Sequence, residues 1–219
     1  MTDAARSTSP LEGNGAGLVR ERAVAGAVQR ALERLYQLDR VADIDPFVTP
    51  AEAGEREALL VREVGGDLEM SVRLPALARK EFDAAKDLDL DPLCQIIEGV
   101  SHFVYLADRA QACREATQLE MELQAEVDKY VVLAASLGVI DLRSSARLRA
   151  RLYDEVSFSH DAETELGERY RMANALAGRF VRRLERDYLA ARRYPEMHAS
   201  LRAFYRMGQE EKLRVGRAA

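Results

Sequence analysis

Carboxylates and histidines at helical spacing are the first residues of this chain whose types could do chemistry. Glu98 and His102 stand four apart, which puts both on one face of a helix. Glu122 and Glu126 repeat the spacing further on, and His160, Asp161, Glu163 and Glu165 cluster where another helix is expected to begin. A carboxylate-bridged pair of transition-metal ions in a four-helix bundle draws on these residue types. The candidate ligands are therefore Glu98, His102, Glu122, Glu126, His160 and Glu163. The spacing weighs against such a centre. It needs Glu-x-x-His twice, and the sequence contains no such motif and only three histidines, of which His198 follows Glu196 by two. The plainer expectation is an exposed Glu98/His102 helix pair, worth about 0.2–0.5 kcal/mol. In the same reading Asp161 and Glu163 are first-turn acids favoured by the helix dipole. No cofactor is expected, a transition metal being the alternative.

Arginines form the second constellation. A long helix expected over 162–193 carries Tyr170, Ala173, Ala177, Phe180, Leu184 and Tyr188 on its inward face. Arg171, Arg179, Arg182, Arg186 and Arg193 fall within about 80° of one another on the opposite side, at about 100° per residue. Such a stripe suits phosphates or an acidic protein surface. Its plain alternative is a solvated face neutralised by neighbours such as Glu168.

Other chemistry finds little support. No G-x-S-x-G elbow, P-loop, HExxH or zinc-finger spacing occurs. The run Gly13-Asn-Gly15-Ala-Gly17 lacks both the G-x-G-x-x-G spacing and a preceding strand, so it reads as a linker. Cys94 and His102 are eight apart, over two helical turns, and the two cysteines, Cys94 and Cys113, are expected to be buried free thiols. No catalytic residue is assigned, and the reading leans away from an enzyme.

The elements that must hold these residues are mostly helices. Apolar periodicity predicts helices over 18–39, 76–86, 91–110, 114–137, 145–156, 162–193 and 195–208. Asp45-Pro46 and Thr49-Pro50-Ala51-Glu52 both read as helix openings. The period changes between Ala58 and Leu74. Leu68, Met70, Val72 and Leu74 alternate with Asp67, Glu69, Ser71 and Arg73, and Gly65-Gly66 suits a tight hairpin turn. A two-residue turn sets Val61 against Met70, Leu59 against Val72, and Arg62 against Glu69 as a cross-strand ion pair. A lone hairpin is marginal in water, so this one must lie on helices or recruit strands along its edges.

The expected fold is mainly α, a bundle of four to five main helices with the hairpin of about 58–74 packed on it. Residues 18–208 are expected to form a single α-rich domain between a disordered tail, 1–17, and a flexible tail, 209–219. Hydrophobic residues make up 47% and charged residues 32%, which allows a core and a wet surface. The net charge of −5 hides an asymmetry, with 15 basic and 26 acidic residues up to Leu142 against 17 and 11 beyond it. No signal peptide and no stretch long enough to span a bilayer is recognised, so a cytoplasmic location without membrane association is expected. The expected function is that of a non-enzymatic regulatory or adaptor protein acting through protein–protein contact, with self-association as one form of it. Nucleic-acid binding through the arginine stripe is an alternative, though an acidic chain seldom serves it.

Overall fold

The computed structural model describes residues 8–10, 18–39, 41–77, 90–138 and 141–218. Within them the protein is mainly α, with seven α-helices and one small mixed sheet. No helix among the described residues is long and apolar enough to cross a membrane. The chain packs as two compact units. One holds the described residues up to Glu115 except Arg34–Gln37; the other holds Arg34–Gln37 and everything from Ala116 onward.

In the first unit, strands β3 (Ala58–Val64) and β4 (Asp67–Leu74) form the expected hairpin, in the expected register: Val61 opposite Met70, Leu59 opposite Val72, Arg62 opposite Glu69. Gly65 and Gly66 both take positive φ, 63° and 96°, as a two-residue turn requires. Arg62 and Glu69 form their ion pair. The other edge of β4 is filled by the same chain. Strands β1 (Thr8–Pro10) and β2 (Val48–Pro50) lie parallel to it, end to end, at Leu68–Met70 and Val72–Leu74. Two expectations are corrected here. Residues 8–10 of the presumed tail form a strand, and Thr49-Pro50 opens no helix. Extended pairing wins there because β4 offers free carbonyls: Ala51 N–H donates to Leu74 O at 2.9 Å, and the Thr49 and Ser71 hydroxyls meet at 2.8 Å.

Helix α1 (Val19–Tyr36) presents Glu21, Ala25, Val28, Gln29 and Leu32 inward at helical spacing. Buried Gln29 ties the following segment to it, accepting from Ile44 N–H and donating to Ala42 O, both at 2.9 Å. A 3-10 turn at Asp45–Phe47 then seats Phe47 against Phe103, ring centroids 4.8 Å apart. Helix α2 (Asp91–Gln111) lies on the sheet at Gly99. A Cβ at Gly99 would stand 3.1 Å from Leu74 Cδ2 and 3.2 Å from Val72 Cγ1, so the absent side chain sets the approach. The helix expected over 76–86 falls almost wholly outside the described residues, as do the glycines at 13–17.

The second unit is helical. Helices α3 (Gln118–Ser136), α4 (Leu142–Arg149), α5 (Glu165–Leu184), α6 (Tyr194–Arg206) and α7 (Gln209–Arg217) follow in order. Side-chain caps set three starts: Thr117 accepts from Glu120 N–H at 3.1 Å, Asp141 from Ser144 N–H at 2.7 Å, and Thr164 from Gly167 N–H at 3.0 Å. Each of the two threonine caps contributes about 1 kcal/mol. Helices α4 and α5 each run on into a π-helical turn, Ala150–Asp154 and Glu185–Leu189. The presumed flexible tail after 208 is helix α7. Lys212 and Gly216 are buried, and a Cβ at Gly216 would stand 3.0 Å from Leu176. An inward lysine made this helix look like tail in the sequence.

Candidate functional site

Among the described residues of the first unit, the hairpin's outer strand carries three exposed large apolar side chains. In an antiparallel pair, residues alternate between bonding the neighbour and facing away. The Gly65-Gly66 turn makes Val64 and Asp67 the first bonded pair, so Arg62, Leu60 and Ala58 follow as bonded positions. Leu59, Val61 and Glu63 therefore turn their N–H and C=O outward. Leu60 is 37% exposed, Val61 46% and Val64 48%. Among the described residues β4 is the only strand paired with β3. Among the described residues the sheet is thus lined by its own chain along β4 and open along β3, with apolar side chains on both faces of that strand.

The six candidate ligands are divided between the two units. Glu98 and His102 lie on α2 in the first unit, Glu122 and Glu126 on α3 in the second. The expected exposed Glu98/His102 pair is corrected: Glu98 is buried and His102 half-buried. Helix α2 is buried without interruption from Gln95 to Ser101, so facing away from the Ile97/Val100/Val104 stripe does not mean facing water. Glu126 is held by neighbours, accepting from Lys129 Nζ at 2.8 Å and from Asn174 Nδ2 at 3.4 Å. His160 stacks on Tyr170, centroids 5.2 Å apart, and Glu163 is exposed on the loop before α5. Neither joins Glu126 in a group of ligand atoms. The thiols differ from expectation too. Neither is in a disulfide, but Cys94 is only half-buried and Cys113 is exposed, in a left-handed residue (φ 51°) just past the end of α2.

A polar network inside the second unit has no counterpart in the sequence reading. Helix α3 is buried from Glu122 through Tyr130 on all sides. Gln124 and Asp128, four apart, share one face of it. Asp128 accepts from the Tyr36 hydroxyl and, at 2.9 Å, from Gln124 Nε2; Gln124 Oε1 accepts from Lys212 Nζ at 2.7 Å. Lys212 is fully buried, its amine 5.0 Å from the centre of the Phe204 ring. Tyr36 stacks on Tyr205 with centroids 4.3 Å apart. Burial, and then the charge of Asp128, hold the Tyr36 hydroxyl well above its ordinary range. The i, i+4 spacing of Gln124 and Asp128 was a readable signal for this network; Lys212 carried none.

A second network spans the two π-helical turns. The Tyr130 hydroxyl meets Ser145 Oγ at 2.6 Å, Ser145 donates to Glu185 Oε1 at 2.6 Å, and Arg149 Nε donates to Glu185 Oε2 at 2.8 Å. Burial pushes Tyr130 up to about 12, with the Glu185 carboxylate adding to the rise. A serine beside a carboxylate has the makings of a nucleophile, but Ser145 is fully buried. Both networks are satisfied polar cores that fix which helices meet.

The arginine stripe is corrected in its membership. Arg171 turns inward, donating to Gly167 O and His160 O, each at 3.0 Å, and lying over Phe158. Arg186 pairs with Asp187 at 2.6 Å and Arg193 with Glu196 at 3.0 Å. The physical cause is the end of the helix. The π-helical turn adds a residue after Leu184, Arg192 takes a positive φ of 54°, and Arg193 precedes α6 instead of continuing α5. Arg179 and Arg182 remain exposed on α5 as expected.

Comparisons with protein-family models, with curated proteins and with solved structures find no match for this chain.

Proposed function

We propose that this chain is a non-enzymatic regulatory or adaptor protein that acts by protein–protein contact, with β3 as the contact strand and a second copy of the chain as its partner. The observation that carries the reading is the open edge of β3, with Leu60, Val61 and Val64 exposed beside outward backbone groups. Exposed strand edges are templates for pairing, and apolar ones especially so. Self-pairing follows from the register. A two-fold axis through Val61, perpendicular to the sheet, sets Val61 opposite its counterpart and Leu59 opposite the second copy's Glu63. Val61 of each copy is then bonded to its counterpart. Arg62 falls opposite Leu60, so no like charges oppose one another. A cytoplasmic setting goes with this reading and is motivated by two cysteines that form no disulfide.

The test is light scattering after size exclusion across about 1 to 100 µM, the range in which a modest interface responds. The expected species has twice the 24.5 kDa mass of the chain. Val61→Pro removes an outward N–H and should give a monomer of unchanged circular dichroism. A wild-type monomer throughout the range, or a dimer indifferent to Val61→Pro, overturns the reading.

A further inference from the structure

The second unit carries a surface that the contact strand does not use. Helix α4 with its π-helical turn runs antiparallel to α5. Tyr153 packs on Gly178, Asn174 donates to Leu152 O at 3.0 Å, and Arg149 reaches Glu185. Along the chain, residues 142–153 and 169–184 contain nine arginines, no lysine and no acid. Arg143, Arg147, Arg151, Arg179 and Arg182 are exposed. Arg143, Arg147 and Arg151 recur every four residues along one side of their segment, about 6 Å apart along the axis. Arg179 and Arg182 stand on the outer stripe of the neighbouring helix. Arg143, Arg147, Arg179 and Arg182 hold no salt bridge among the described residues. The outer stripe of α5 continues past them to Met172 and Ala175, so the acids that border it, Glu168 and Asp187, lie at its ends.

We propose that this arginine surface binds the phosphate backbone of duplex nucleic acid without sequence preference. Each planar guanidinium can take two phosphate oxygens, which a lysine cannot. Of the aromatic side chains in these two segments, Tyr153 packs on Gly178, Tyr170 stacks on His160 and Phe180 is buried, which favours a duplex backbone over a single strand with bases to stack. The acidic balance of the whole chain does not oppose this, since the acids concentrate before Leu142.

The test is fluorescence anisotropy of the full chain with two unrelated DNA duplexes of about 20 base pairs, between about 50 and 200 mM salt. The expected result is equal binding to both, with log K falling against log salt at a slope of about −4 to −5, near −0.9 per phosphate neutralised. Arg179→Glu with Arg182→Glu, and separately Arg143→Glu with Arg147→Glu, should each weaken binding at least about tenfold and reduce the slope by about two. Arg206→Glu with Arg214→Glu, on α6 and α7, makes the same change of charge elsewhere and should leave the slope alone. Absence of binding at the lowest salt overturns the proposal. So does an equal loss in the Arg206/Arg214 variant, or tighter binding to a single strand or to anionic vesicles than to the duplex.

Discussion

Strand β3 and helix α3 depart from the ordinary distribution of polar and apolar groups in opposite directions. On β3, in the first unit, Leu60, Val61 and Val64 remain exposed. On α3, in the second, Gln124, Glu126, Asp128 and Lys129 are buried. The departures have different causes. A strand at a sheet edge has a neighbour strand on one side only, and helix α2 approaches the sheet closely at β4, where Gly99 lies against Leu74 and Val72. Helix α3 is enclosed by elements that bring their own polar atoms: Tyr36 at the end of α1, Asn174 from α5, Lys212 from α7 and Tyr153 beside α4. An exposed apolar strand points outward to something that would cover it. A buried polar helix whose groups are bonded specifies the packing of its own unit and asks for nothing outside.

The sharpest way to break this comparison is to unbalance α3. Asp128→Ala strands the Tyr36 hydroxyl and one Gln124 proton in the core and should cost about 3–5 kcal/mol, read by urea unfolding. A loss under about 1 kcal/mol would mean that the network is wet and the contrast with β3 is lost. Adjacent prolines on β3 come next. Leu60→Pro removes a bond to β4 and should cost about 3 kcal/mol, whereas Val61→Pro removes only an outward N–H and should cost under about 1. Equal losses would show that the outward register is misassigned.

Alkaline titration has a smaller but distinctive effect. Tyr36 and Tyr130 are held above their unfolded value of about 10, so the folded state keeps protons that the unfolded state gives up. Their contribution is complete below pH 10 and is lost as the pH rises toward 12 and beyond. Stability should therefore fall over that window, and Tyr130→Phe should flatten the fall by on the order of 2 kcal/mol. In a phenolate-absorbance titration, Tyr130→Phe should remove one phenolate from the part of the rise that accompanies unfolding. Arg62→Ala should do least. Its pair with Glu69 is exposed, so the loss should be about 0.5 kcal/mol and should shrink with added salt.

The hairpin was readable residue by residue because a period of two, a Gly-Gly turn and one ion pair all specify the same register. The α-helices were readable as stripes, and their errors sit where one residue changes the path. Thr117 caps α3 so that it starts at Gln118, four residues later than apolar periodicity suggests, and the π-helical turn after Leu184 divides the expected arginine stripe. Of the candidate ligands, the sequence placed Glu98 with His102 and Glu122 with Glu126 at helical spacing, but could not say that Glu98 and Glu126 are buried. Periodicity describes one helix at a time, whereas burial depends on what surrounds it.

What the sequence by itself determined is local: the hairpin and its register, the approximate helices, and arginines Arg179 and Arg182 on an outer face. These follow from spacing along one chain and from turn chemistry within a few residues. What only the tertiary structure decided is the enclosure. It filled β4 with β1 and β2 and left β3 open, and it turned the presumed tail into the helix whose Lys212 reaches Gln124. It also laid α4 beside α5, which puts two separate runs of arginine on neighbouring helices. Those outcomes depend on contacts between residues as much as 88 positions apart, as between Gln124 and Lys212, and no local period encodes them.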